Sequence, residues 1–173
     1  MLTPNKLEKY AEILLWGLKT ARKGKIARYE TVMVRYDLPA RPLAEVVQKK
    51  LLQHRQNVVI RANLTPGMEK AFFSEADKKQ LGFLWPGEKE LYSCLNGYIF
   101  LRAPESLTHL RGAAPAKIAA AISANKVIWD IRNSREDRGL FSWTLCSCPT
   151  EELARQAHMS LPEYAAQVEK ACF

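Results

Sequence analysis

Four short runs of β-branched and aromatic residues recur along the chain, and a helix-like segment separates each run from the next. The runs predict strands at residues 29–38, 57–61, 98–101 and 141–148. When a helix lies between two successive strands, the connection crosses over the sheet and the strands run parallel. The alternation therefore predicts an α/β fold: a doubly wound, mostly parallel sheet of four to five strands with helices on both faces.

Residues 98–101 give the clearest central strand, because this run is continuously apolar and turn residues bound it on both sides. Thr3-Pro4 predicts the start of a first helix, which Gly24 is expected to close. An Ala-rich segment predicts a helix over residues 116–124 that continues towards Arg132.

A capping box at Ser160-Leu161-Pro162-Glu163 predicts a last helix that is still apolar on one face at Phe173. No Gly or Asn closes that helix, so we expect the domain to belong to a longer polypeptide. No linker, repeat or low-complexity tract divides the chain. The sequence therefore predicts one α/β domain over residues 1–173.

The net charge of +8 lies entirely in the first third of the chain, where residues 1–61 hold 13 basic and 5 acidic side chains. Such an asymmetry is compatible with a basic binding module that meets an acidic partner or a nucleic acid. The basic residues are nevertheless scattered, and they lack the interleaved aromatics or recognition motifs that give a docking geometry. This distribution does not favour a nucleic-acid role.

Neither a membrane span nor a signal peptide is expected, because no apolar stretch approaches the ~18 residues that a span needs. The four cysteines do not form the framework of a secreted disulfide protein. We therefore expect a cytoplasmic chain.

The familiar catalytic motifs are missing from the sequence, which has no HExxH, no G-x-S-x-G, no P-loop and no G-x-G-x-x-G after a strand. The three histidines stand apart and are expected at the surface or at helix ends: His54, His109 and His158. Cys146 and Cys148 are expected on one face of a central strand as small buried residues, because a structural zinc needs four ligands. The residues predict no catalytic group, no metal ligand and no cofactor.

Charged residues do follow the strands at the edge where parallel sheets bind ligands. Arg102 and Glu105 come directly after the predicted central strand, and Arg35 and Arg41 flank the end of the first. Two interpretations remain open for these four residues. They form salt bridges within loops, or they contact a small anion or the wall of a substrate chamber, with Arg102 as the first anion contact.

Several blocks, in order along nearly the whole chain, resemble one known family. They are residues 7–18, 32–47, 78–119 and 148–173, and their most specific parts are Ile99-Phe100-Leu101-Arg102-Ala103-Pro104-Glu105 and the closing Met159-Ser160-Leu161 segment. In these blocks the chain is similar to the N-terminal domain of the aminopeptidase T and aminopeptidase S family.

The resemblance implies a non-catalytic N-terminal domain of a metal-dependent aminopeptidase, inactive alone. In the full-length family two divalent ions of the zinc, cobalt or manganese class are bound by a C-terminal catalytic domain, which this domain would pack against and shield. The expected partners are that catalytic domain, a peptide substrate reached through the full-length enzyme, and a second copy in a homodimer. No catalytic residue of the family matches a position in this sequence.

Overall fold

The structure is a computed structural model that describes residues 3–22 and 26–172. The predicted helix end at Gly24 and the last residue, Phe173, lie outside the described residues. The elements in chain order are α1 (Pro4–Thr20), β1 (Thr31–Tyr36), α2 (Arg41–Gln53), β2 (Asn57–Ala62), α3 (Pro66–Glu75), α4 (Lys78–Leu81), α5 (Glu88–Cys94), β3 (Gly97–Arg102), α6 (Pro115–Ala124), α7 (Lys126–Asp137), β4 (Ser142–Ser147), α8 (Glu151–Gln156) and α9 (Leu161–Cys172).

The four strands form one parallel sheet in the order β2-β1-β3-β4. This arrangement confirms the predicted α/β fold, and it confirms β3 as a central strand between β1 and β4. The chain runs from β1 outwards to β2 and then returns to the other side of β1 to form β3. The reversal of direction therefore falls between β1 and β3, the place where sheets of this kind hold ligands.

One face of the sheet packs against α1 and α2. Alternate residues of the central strands are fully buried there: Val32, Val34, Ile99 and Leu101. The helical spacing of apolar residues in α1 supplies the opposite surface, which includes Leu14 and Leu18. The contact leaves no room for a side chain at Gly97, where a Cβ atom would lie 3.1 Å from atoms of both Leu18 and Val32.

The other face of the sheet packs against α5 and α7. Met33 and Tyr98 point to this side and form a second core with Tyr92, Ile128 and Phe141. A third and smaller cluster joins α3, α4 and the segment around α6. Since α5 and α7 cover only part of this face, residues nearer the carboxyl ends of the strands remain accessible.

The helix that the Ala-rich segment forms is shorter than the sequence predicts. The expectation of one helix continuing to Arg132 is wrong, because the chain forms two helices that separate at Asn125. The Asn125 side chain donates a hydrogen bond to the Ala121 carbonyl at 2.9 Å. An asparagine side chain competes in this way with the helical backbone and ends α6.

The cysteines Cys146 and Cys148 share one face, as predicted, but their strand is not central. β4 pairs only with β3 and is therefore an edge of the sheet. Both residues pack against the α1 side of the core. The hydrogen bond that the Cys146 thiol donates to Cys148, together with burial, raises the pKa of Cys146 well above its ordinary value. Neither feature makes Cys146 a reactive nucleophile, because reactivity requires the thiolate.

The predicted capping box begins α9. The Ser160 backbone N–H donates to the Glu163 carboxylate at 2.9 Å, and the Glu163 N–H donates to the Ser160 hydroxyl at 3.5 Å. The α9 helix then lays Val168 and Cys172 against the first core. Among the described residues, no helix is both long enough and apolar enough to cross a membrane.

Candidate functional site

A cleft lies where the carboxyl ends of β1, β2 and β3 meet the first turn of α3. We call it the switch-point cleft. Its volume is about 360 Å³, and its walls include Arg35, Asp37, Asn63, Glu69, Tyr98 and Phe100. A smaller cavity of about 130 Å³ adjoins it, shares Asp37 and Glu69 with it, and is also bordered by Glu105 and His109.

The polar residues of the cleft converge because the strands are parallel and in register. Asp37 directly follows β1, Asn63 directly follows β2, and Ala103 directly follows β3. Parallel strands end at one edge of a sheet, so residues far apart in sequence become neighbours there. The aromatic residues come from the α5 and α7 face of β3, where Tyr98 is buried in the second core and the partly buried Phe100 stands opposite Arg35 in the strand register.

A chain of hydrogen bonds fixes the polar wall of the cleft. The buried Ala103 N–H donates to one oxygen of Asp37 at 2.7 Å, and the Asn63 amide donates to the other. The Arg35 Nε–H donates in turn to the Asn63 side-chain oxygen. Asp37 therefore accepts two of these bonds and orients the Asn63 amide. Asn63 in turn orients the Arg35 guanidinium.

The opposite wall holds a carboxylate and an imidazole. Glu69, in the first turn of α3, lies 2.7 Å from the Nε2 atom of His109 through its Oε2 atom. The Nδ1 atom of His109 lies 3.2 Å from the Ser106 carbonyl oxygen. A carbonyl oxygen only accepts, so Nδ1 carries a hydrogen and donates it. His109 is thus partly buried in a loop, whereas His54 and His158 are exposed.

The floor of the cleft continues into aromatic packing beneath α7. The Arg132 guanidinium lies 4.7 Å from the Tyr98 ring centre and 5.4 Å from that of Phe141. Burial raises the pKa of the neighbouring Tyr92 hydroxyl above its ordinary value. These contacts pack Tyr98 into the second core beneath the cleft.

The four residues singled out from the sequence lie in different surroundings. Arg35 lines the switch-point cleft, and Glu105 lines the adjoining cavity. Arg102 is partly buried on the same sheet face as Arg35, and its side chain has no ion-pair partner among the described residues. Arg41 is exposed on α2, lies 3.6 Å from Glu45, and lines neither cavity.

Sequence reasoning missed four polar residues of this site, which are Asp37, Asn63, Glu69 and His109. Asn63 carried a usable signal, since it is the polar residue that ends β2 just as Asp37 ends β1. The Glu69–His109 contact joins residues 40 positions apart. It depends on how α3 packs over the sheet edge, and no local pattern reports that packing.

The described residues do not fit the divalent metal that the family resemblance implies. Within residues 3–22 and 26–172, no three His, Cys, Asp or Glu side chains group so that they could hold a metal ion. Asp37, Glu69 and His109 line one cavity, but their side chains already have other partners. Asp37 is occupied by Ala103 and Asn63, and Glu69 and His109 bond to each other.

Among the described residues, five basic side chains in the first third of the chain form ion pairs. Lys50 lies 2.7 Å from Glu8 and 3.0 Å from Glu12, and Glu8 and Glu12 hold the pKa of Lys50 above its ordinary value. Arg61 lies 2.6 Å from Glu88. The paired residues lie on several different elements and do not define one basic surface. A basic module that binds an acidic partner or a nucleic acid stays a prediction.

The fold resembles a solved structure of a larger protein. Wild-type AmpT from Thermus thermophilus matches with a TM-score of 0.66 at 16% sequence identity. The match covers 96% of this chain and 42% of the AmpT chain, so this chain spans less than half of that protein's length. At this identity the likeness shows the fold.

The sequence comparisons point to one family. No curated protein sequence matches this chain. The sequence model of the thermophilic metalloprotease (M29) family matches residues 3–173, which is nearly the whole chain. The chain therefore belongs to the thermophilic metalloprotease (M29) family.

Proposed function

We propose that this chain is the non-catalytic N-terminal domain of a metal-dependent aminopeptidase, which as a full-length protein removes N-terminal amino acids from peptides. The observation that carries the proposal is the unequal coverage: a family match over residues 3–173 together with a fold match to only 42% of the AmpT chain. The described residues also lack a three-ligand group suited to a divalent metal. The metal ligands then belong to the catalytic domain that follows.

The role proposed for this domain is to pack against the catalytic half and shield its chamber. A surface suited to that contact runs from α7 to β4. Trp129 is 58% exposed, Trp143 is 43% exposed and Leu145 is 49% exposed. Trp143 donates a hydrogen bond to Glu136 of α7 at 3.1 Å, which joins the helix and strand parts of the surface. Exposed aromatic side chains are enriched at protein interfaces.

Activity of the isolated chain tests the first part of the proposal. Residues 1–173, supplied separately with cobalt, zinc or manganese, should release no amino acid from leucyl or arginyl reporter amides. A metal-dependent aminopeptidase in the same buffers serves as the positive control. Metal-dependent turnover by the chain, lost on chelation and restored by the metal, would show that the proposal is wrong.

The packing surface is tested by tryptophan accessibility. In the full-length protein, acrylamide should quench Trp129 and Trp143 less than it does in the isolated chain. Trp16 is 66% exposed on α1, on the other side of the sheet, and provides the matched control. Variants that keep a single tryptophan separate the signals. Equal quenching of Trp129 and Trp143 in the two proteins contradicts docking through this surface.

The reading frame of the encoding gene tests the position of the domain. The proposal expects a following segment of about 200 residues, the length of an ordinary second domain, with clustered His, Glu and Asp. A stop codon directly after Phe173 would contradict it. Either result leaves the assignment to the family unchanged.

A further inference from the structure

Arg35 presents an unused set of donors to the switch-point cleft. Its Nε–H is bonded to Asn63, which fixes the plane of the guanidinium. The two terminal nitrogens, Nη1 and Nη2, have no hydrogen-bond or ion-pair partner among the described residues. Paired terminal N–H groups of arginine match the two oxygens of a carboxylate.

The other side of the cleft presents an acceptor. The Glu69 Oε2 atom faces His109, whereas Oε1 has no partner within the described part of the chain. Asp37, whose two oxygens already accept one bond each, adds negative charge on the wall that holds Arg35. A carboxylate oxygen that remains free at the rim of a cleft can accept from an ammonium group.

The cleft that Arg35 and Glu69 line also has apolar lining residues. Tyr98 and Phe100 form the floor, and Leu64 lines the cleft beside Glu69. The volume of about 360 Å³ lies at the small end of the range for ligand pockets. The site therefore suits a small molecule with a carboxylate, an ammonium group and an apolar side chain.

We propose that the switch-point cleft binds an apolar α-amino acid, with its carboxylate on Arg35, its ammonium group on Glu69 and its side chain on Tyr98 and Phe100. The charges argue against a phosphate or another polyanion, because two carboxylates, Asp37 and Glu69, line the cleft and Arg35 is the one Lys or Arg among its described lining residues. This inference does not depend on the proposed domain role, since this chain carries all of the residues involved.

Calorimetric titration of the full chain provides the test. L-Leucine and L-phenylalanine should bind saturably, with dissociation constants of about 1 mM or tighter. Two analogues each remove one charged group. Leucinamide lacks the carboxylate and 4-methylpentanoic acid lacks the ammonium group, and each should bind about tenfold more weakly or worse.

Two arginine variants locate the site. Arg35→Gln should weaken L-leucine binding about tenfold or more, because it removes the charged donors. Arg41→Gln is the matched control, since Arg41 is also exposed but lines neither cavity, and this variant should bind L-leucine as the original chain does. Circular dichroism must show that both variants are folded with similar melting temperatures.

Several outcomes would overturn the inference. One is the absence of saturable binding of either amino acid up to about 10 mM. Another is equal binding of leucinamide and L-leucine, which would remove the role of the carboxylate. Equal weakening by Arg35→Gln and Arg41→Gln would place the ligand elsewhere. None of these results bears on the peptidase assays, so the two proposals fail independently.

Discussion

The direction of the hydrogen bonds around Asp37 makes the effect of one substitution calculable. Ala103 and Asn63 each donate to this carboxylate, and Arg35 donates to the side-chain oxygen of Asn63. Asp37→Asn replaces an acceptor-only group by one that must also donate. Whichever way the two amides of residues 37 and 63 are turned, one pair of donors then faces each other.

The cost follows from the burial of the groups. Ala103 is fully buried, with 0% of its surface exposed. Its N–H cannot reach water, so we expect it to keep its hydrogen bond to the side-chain oxygen of residue 37. The opposed donors fall at Asn63 or at the exposed Arg35, which can swing into water. We therefore expect Asp37→Asn to destabilise the fold by about 1–2 kcal/mol, since it loses a charge-assisted bond without burying a bare charge. That corresponds to a fall in melting temperature of about 2–8 °C for a chain of this size.

The reciprocal exchange supplies the decisive control. In Asp37→Asn with Asn63→Asp, the new amide accepts from Ala103 and donates to the new carboxylate, which also accepts from Arg35. Every group is satisfied again, so the double variant should recover at least half of the lost stability. Urea unfolding followed by circular dichroism measures the free energy of unfolding of four proteins: the original chain, Asp37→Asn, Asn63→Asp and the double variant. If the double variant is as unstable as the sum of the two single variants, the assigned bond directions are wrong.

Three further predictions concern other parts of the fold. Gly97→Ala should lower the free energy of unfolding in urea by about 1–3 kcal/mol, because its Cβ would lie 3.1 Å from side chains of α1 and β1. Gly112 has open space around it, so Gly112→Ala should change the free energy of unfolding by less than about 0.5 kcal/mol. An equal effect of the two would refute the close packing at β3. The pKa of Glu152 is lowered, first by its bond to Arg155, so its contribution to stability is present above the ordinary carboxyl pKa and is lost as pH falls through the lowered value. Glu152→Gln should therefore melt below the original chain near pH 7, and the gap should close in acid; a gap that is constant with pH contradicts this. Cys94 is exposed and should react first with a thiol reagent, so that Cys94→Ser removes the fast phase.

The fold was predictable because its main features are local. Parallel pairing follows from helices that alternate with strands, and the continuous apolar run of residues 98–101 identified the central strand. The capping box at Ser160 and Glu163 also formed as predicted. What stayed hidden was the order of strands. The apolar runs in the sequence do not show that β4, with Cys146, is an edge strand of the sheet. Edge strands and central strands can have the same composition.

The candidate site was predictable only in part, for the same reason. Arg35 and Glu105 lie near the carboxyl ends of β1 and β3, which parallel strands bring to one edge of the sheet, and each lines one of the two cavities. Arg41 was grouped with them by its closeness in sequence, yet the helix that begins there carries it to an exposed position beside Glu45. Glu69 and His109 meet only through tertiary packing.

The exchange of residues 37 and 63 also separates the two tasks of the polar wall. In the original chain the negative charge lies on Asp37, and Asn63 stands between Asp37 and Arg35 in the chain of hydrogen bonds. Because Asn63 is neutral, the guanidinium can bind the carboxylate of a ligand. The double variant moves the negative charge onto the direct partner of Arg35. Its hydrogen bonds, and with them its stability, should return, whereas its affinity for L-leucine should fall, because a carboxylate at position 63 competes with that of the ligand. A double variant that recovers both properties would show that Arg35 does not meet the ligand, and one that recovers neither would show that the Asp37 charge is needed where it stands.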